Sequence, residues 1–216
     1  MKFASRADAG RQLGQQLREQ GVEVDLVLGL PRGGVVVAAE VARRLERPLD
    51  ALMVRKIGHP WHREFAVGAL AEPDVVVLDE ASIGNNPTVR QELDAVIQEE
   101  TARLQSYRSR FHVATTLVLE GKNVLLVDDG LATGATVEAA VLSAKRQKAR
   151  RIVVATPVAS TNAVDRLASV ADDVVALLVD PDFRAVGQYY EEFAETTDEE
   201  VLALLHPQTK GGVAPS

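Results

Sequence analysis

The chain has 216 residues, enough for one large α/β domain and short of two, and its 46% hydrophobic and 25% charged residues are ordinary for a globular protein. With 31 acidic against 24 basic residues the net charge is −7, which disfavours nonspecific binding to nucleic acid or to an anionic membrane. There is no cysteine, which excludes disulfides, thiolate metal sites and a thiol nucleophile; charges at Arg6 and Asp8 precede any apolar leader, and no apolar run approaches the ~18 residues of a membrane span, so a soluble, cytoplasmic protein is expected.

Ser5 followed by Asp8 is a capping pair, and Leu13 and Leu17 lie four apart before Gly21, so the chain is expected to open with a helix. Val24 to Leu30 is an apolar, β-rich run that enters Pro31-Arg32-Gly33-Gly34 and then a helical stretch from Val35 to Leu45. In that turn Gly33 and Gly34 permit close approach of the backbone to a ligand, and Arg32 offers a fork of donors suited to phosphate oxygens, although Pro-Arg-Gly-Gly is also an ordinary turn. Leu49 to Val54 reads as the next strand. It would deliver Arg55 and Lys56 at its C-terminal end, the edge where ligands of open α/β sheets gather, or simply at a solvated strand end.

From Ile57 to Glu64 there is no helical or strand period, and Gly58 and Pro60 predict a loop; His59 and His62, three apart, are too few for a metal site. Phe65–Leu70 and Val75–Leu78 read as a hairpin. Asn85-Asn86-Pro87 then opens the longest helical pattern, Thr88 to about Phe111, expected to serve either as scaffold or as the surface of a homodimer.

The chemistry concentrates in Val124 to Thr136, VLLVDDGLATGAT. A buried-strand run ends at Asp128 and Asp129, and Gly130, Thr133, Gly134 and Thr136 form a small-residue turn into a helix. Unpaired backbone N–H groups beside two hydroxyls make an anion cradle facing two acids. A nucleotide P-loop would need Lys directly after the second glycine and four residues between the glycines; here Ala135 stands in that place and the spacer is three. Acids that grip sugar hydroxyls, next to a loop that grips one phosphate, suit a ribose 5-phosphate group. Beyond it, Val137–Gln147 is helical, Arg151–Thr156 a strand followed by Pro157 to Ser160, Asn162–Val170 a helix and Val174–Val179 the last strand. Pro181 to Tyr190 is aromatic-rich and aperiodic; Phe183 offers either a ring face for a base or a core side chain. A last helix runs from Thr197 to Leu205, and 206–216 is expected to be a disordered tail.

The VLLVDDGLATGAT stretch closely resembles the 5-phosphoribosyl-1-pyrophosphate (PRPP) motif of type I phosphoribosyltransferases, and GLPRGG upstream resembles their pyrophosphate loop. The likeness implies a Rossmann-like α/β fold, with a mainly parallel sheet flanked by helices, in a single domain over 1–205 with a small hood near 180–195. It implies that Asp128 and Asp129 hold the ribose and the shell of a Mg²⁺ ion, while Ala132, Thr133, Gly134, Ala135 and Thr136 cradle the 5-phosphate. Arg32, Arg55 and Lys56 become candidates for the charge of the leaving pyrophosphate, and Ile57–Glu64 for a mobile lid. The segment from Phe183 resembles the hood of 6-oxopurine phosphoribosyltransferases, where a Phe stacks on the base. Two positions depart from those enzymes: Ala132 stands where they carry an Asp, and Asp182 where they carry a Lys ahead of the hood Phe. The expectation is therefore an enzyme of nucleotide metabolism that moves the phosphoribosyl group from PRPP to a nucleobase or similar acceptor other than hypoxanthine or guanine. A PRPP-binding regulator without significant catalysis is the alternative; negative charge and the lack of a second domain count against the nucleic-acid binding such regulators show. A phosphohydrolase or kinase is disfavoured by the missing phosphate-loop Lys.

Overall fold

The computed structural model describes residues 2–111 and 117–206. Helix α1 (Arg6–Glu19) starts where Ser5 Oγ accepts the Asp8 N–H, and strand β1 (Leu26–Gly29) leads into α2 (Gly33–Leu45). Strand β2 (Leu49–Ala51) is followed by β3 (Val54–His59), β4 (His62–Ala71), β5 (Val75–Leu78), the short α3 (Glu80–Ile83) and the long α4 (Pro87–Phe111). Then come β6 (Asn123–Val127), α5 (Ala135–Arg146), β7 (Arg151–Ser160), α6 (Thr161–Ala168), β8 (Asp173–Asp180), a 3-10 turn over Val186–Tyr189, and α7 (Asp198–Leu205).

Five strands form a parallel sheet in the order β2-β1-β6-β7-β8. Every residue of β6 is buried, and its side chains alternate between two cores. Val124 and Leu126 meet Val137, Val141 and Leu167 of α5 and α6, whereas Leu125 and Val127 meet Leu13 and Leu17 of α1 and Val37 and Val41 of α2. A strand covered by helices on both faces must be apolar at every position, which is why VLLV shows no alternation.

β3, β4 and β5 form a separate antiparallel sheet, and this corrects two expectations. The run Leu49–Val54 is not one strand: β2 stops at Ala51, Leu52 N–H reaches Gly29 O at 3.1 Å, and Met53 N–H is taken by the buried Glu72 carboxylate at 2.8 Å. The chain changes sheets there, so Arg55 and Lys56 lie at the start of β3 rather than at the end of a parallel strand. Nor is Ile57–Glu64 an irregular loop. Gly58 is absorbed at a register shift in β3, where a Cβ would stand 2.3 Å from Arg63 O, and Pro60 takes the turn between β3 and β4. The tip rests on α4 through Trp61 Nε1–H to Glu92 (2.6 Å) and Arg63 to Glu99 (3.1 Å).

The expected hairpin of the next two strands and the long helix are present, and α4 buries Val89, Leu93, Val96 and Leu104 against Ile57, Val67 and Leu70. Strand β7 continues through Pro157, which was expected to follow it. Beyond Ala155 it has lost β6 as a neighbour, so the missing N–H of Pro157 breaks no ladder. Most of the expected tail, 207–216, lies outside the described residues.

Candidate active site

β6 ends at the C-terminal edge of the parallel sheet, and the chain turns through Asp128 to Gly134 into α5. Leu131 N–H donates to Val158 O (2.9 Å), Ser160 N–H to Leu131 O (2.9 Å) and Ser160 Oγ–H to Ala132 O (2.6 Å), so the extension of β7 holds the loop in place. Gly134 takes φ +74° to start α5, and no side chain caps that helix. Ala135 N–H reaches Thr133 Oγ1 at 3.4 Å, and Ala135, Thr136 and Val137 bring the first turn, with the positive end of the helix dipole, to the cleft.

Asp128 and Asp129 line the same cleft. Asp129 N–H donates to Asp128 Oδ1 at 2.9 Å, and Asp129 Oδ2 accepts from Arg6 Nε–H at 2.7 Å. Tyr190 Oη–H donates to the Asp129 carbonyl at 2.5 Å. The glycines of the first loop meet these acids directly: a Cβ on Gly33 would stand 2.1 Å from Asp129 Oδ2, and one on Gly34 would stand 2.9 Å from Asp128 Oδ1. The two sequence motifs, almost a hundred residues apart, are thus packed against each other, and Gly33 and Gly34 make room for carboxylates.

Burial, and then the charge of Asp129, push the Asp128 carboxyl up to about 8, against the pull of Arg6 and Lys56. Burial also raises Asp129, opposed by its bond to Arg6. Burial thus disfavours the ionised form of both acids, an effect that hydroxyl donors or a cation would offset. Burial and the neighbouring acids raise the Tyr190 phenol, which keeps its proton and stays a donor.

A cleft of about 480 Å³ joins these parts: Asp128 through Val137 line it, with Lys56, Phe65 and Val186. A second cleft of about 610 Å³ adjoins it, sharing Lys56 and Thr136 and adding Pro31, Arg55, Arg63 and Arg103 beside Glu99 and Glu100. Asp128, Asp129, Gly130, Ala132, Thr133, Gly134, Ala135, Thr136 and Lys56 are thereby brought together. Arg55 is turned to Glu100 on α4, and Arg32 pairs with Glu195. Phe183 is not among the residues lining the cleft; its ring packs on Tyr189 at 5.3 Å, and Val186 lines the cleft instead, filling the space a side chain on Gly130 would need. Arg6, Tyr190 and Phe65 were not foreseen. Arg6 is 123 residues from its partner and in sequence is merely the residue after a helix cap.

Residues 4–193 match the phosphoribosyl transferase domain family. The chain belongs to that family. It is 43% identical over 204 residues to the Mycobacterium tuberculosis protein named Putative phosphoribosyl transferase Rv0571c, covering 94% of this chain and 46% of that protein. The chain therefore spans about half the length of the curated relatives it matches. The crystal structure of TT1426 from Thermus thermophilus superposes with a TM-score of 0.78 at 45% identity, covering 95% of this chain and 98% of that one. A hypothetical protein from Neisseria gonorrhoeae with bound ppGpp shares the fold at a TM-score of 0.52 and 16% identity, over 96% of this chain and 94% of that one. The fold is α/β, a mostly parallel central sheet flanked by helices, as in type I phosphoribosyltransferases. Among the described residues no helix is long and apolar enough to cross a membrane.

Proposed function

We propose that this phosphoribosyl transferase domain binds PRPP in the cleft between Asp128-Asp129 and the start of α5, and transfers the 5-phosphoribosyl group to a nitrogenous acceptor with release of pyrophosphate. The observation that carries this is that one cleft is lined both by two adjacent acids and by the glycine turn and first turn of α5.

Ala132 to Thr136 would receive the 5-phosphate on backbone N–H groups and on the Thr133 and Thr136 hydroxyls. Asp128 and Asp129 would accept hydrogen bonds from the ribose hydroxyls, which would offset the burial that disfavours their ionised forms. Lys56 lines both clefts and would meet the departing pyrophosphate; Arg55 and Arg32, held by Glu100 and Glu195, would be reserves of positive charge for which a polyanion would compete. Holding sugar and acceptor in line lowers the barrier to displacement at C1, where the transition state is oxocarbenium-like.

Among the described residues no three metal-ligating side chains cluster. Mg²⁺ fits such a site when one or two carboxylates assist and ligand oxygens supply most of the shell, as the acid pair and a pyrophosphate would. Bound there, it would neutralise charge on the leaving group.

Titration calorimetry with PRPP and Mg²⁺ tests the reading. The wild type is expected to bind and the Asp128→Asn/Asp129→Asn variant to lose binding while keeping its fold. Pyrophosphate release with a panel of bases then identifies the acceptor; equal PRPP affinity in the double variant would refute the assignment.

A further inference from the structure

We infer that Arg6 is a positioning residue for the ribose site, acting through Asp129. This rests on the PRPP reading above and adds to the site a residue from the opposite end of the chain. Arg6 is the first residue of α1, where the helix dipole disfavours a cation, so its own helix gives no reason for it. The reason lies across the fold. Its Nε–H donates to Asp129 Oδ2 at 2.7 Å, an η nitrogen donates to Ala194 O at 2.6 Å, and the guanidinium lies 3.9 Å from the ring centroid of Phe193. The Arg6 and Asp129 side chains are 13% and 16% exposed, so salt screens their attraction little. Three independent partners fix the guanidinium plane, a task to which a lysine ammonium is unsuited.

The stem of Arg6 is fixed as well. Phe3 N–H donates to Tyr189 O (2.8 Å), Glu191 N–H to Phe3 O (2.9 Å) and Glu192 N–H to Ala4 O (3.1 Å), so the segment before α1 runs beside the hood. From there Arg6 draws Asp129 Oδ2 against Gly33, while Asp129 still lines the cleft. The carboxylate is aimed before a ligand arrives, which spares binding the cost of ordering it. The same contacts tie the N-terminal segment, the hood, the PRPP motif and the pyrophosphate loop into one unit.

A double-mutant cycle read by calorimetry with PRPP and Mg²⁺ tests this, using the wild type, Arg6→Gln, Asp129→Asn and the double variant. Loss of a residue that orients a ligating carboxylate typically costs about 10–100-fold, and that loss is expected for Arg6→Gln. In the Asp129→Asn background the same change should alter affinity less than about threefold, because the pair is already broken. Guanidinium ion added to Arg6→Ala should restore part of the affinity, which a general loss of fold would not allow. Losses that multiply in the double variant, or wild-type affinity in Arg6→Gln, would overturn the inference. If Arg6→Gln does not fold, comparison of the double variant with Asp129→Asn decides, and a further loss there overturns it. A wild type that does not bind PRPP removes both this inference and the reading beneath it; a wild type that binds, with multiplying losses, removes this inference alone.

Discussion

Gly33→Ala is the substitution on which the description of the site depends most. A methyl group there would stand 2.1 Å from Asp129 Oδ2 and 2.6 Å from Arg6 Nε, about 1 Å closer than carbon and a polar atom tolerate. Either the carboxylate swings off Arg6 or the N-terminus of α2 backs away from β6. Forcing one carbon into a filled site costs roughly 1–3 kcal/mol, and at about 2–4 °C per kcal/mol for a chain of this size the melting temperature should fall by about 2–12 °C. Because the displaced group belongs to the proposed ribose site, PRPP affinity should fall with stability, by about 10-fold or more. Thermal melting and calorimetry with PRPP and Mg²⁺ measure the two. In an Asp129→Ala background the contacts with the carboxylate are gone and only the Arg6 guanidinium, released from its partner, still has to move, so the stability cost of Gly33→Ala should shrink; a cost unchanged in that background, or a Gly33→Ala protein with wild-type melting and affinity, would refute the packing described.

Folding raises the Asp128 carboxyl from its ordinary 3.8 to about 8, so the folded protein binds that proton more tightly than the unfolded chain. The stability this contributes is complete below pH ~4 and is lost as pH rises through ~8. Without ligand, Asp128→Asn should therefore gain in melting temperature over the wild type as pH rises from about 5 to about 8.5, and equal melting curves across that range would count against burial of the acid. Hypoxanthine and guanine should be poor acceptors in a pyrophosphate-release assay, because Ala132 cannot act as a base and general base assistance is worth about 10²–10⁴-fold. Efficient turnover of either would contradict this.

The sequence carried the local elements well where one physical cause dominated. VLLV reads as a buried strand because both its faces are covered, and α4 is legible from Thr88 to about Phe111, one residue short of its observed start at Pro87, because its apolar stripe is long. Reading failed where two causes competed. Gly58 and Pro60 are breakers in isolation, yet a bulge and a turn accommodate both in the β3–β4 hairpin. Pro157 ends a strand by rule, but not where the strand has already lost one neighbour. Leu49 to Met53 is apolar apart from Asp50, and nothing local marks the point where the buried Glu72 carboxylate takes the Met53 N–H and turns the chain into another sheet.

For the candidate site, the residue types and their spacing determined the motif by themselves: two acids after a buried strand, then a glycine turn that starts a helix, because strand ends and helix starts are built by neighbours in the chain. The tertiary structure alone decided which groups share a cleft with them. It separated Lys56 from Arg55, which Glu100 holds, turned Phe183 onto Tyr189 and put Val186 against Gly130, and set Arg6 on Asp129. These are contacts between segments far apart in the chain, fixed by the packing of two sheets and a hood, and a side chain carries no local sign of which distant partner it will meet.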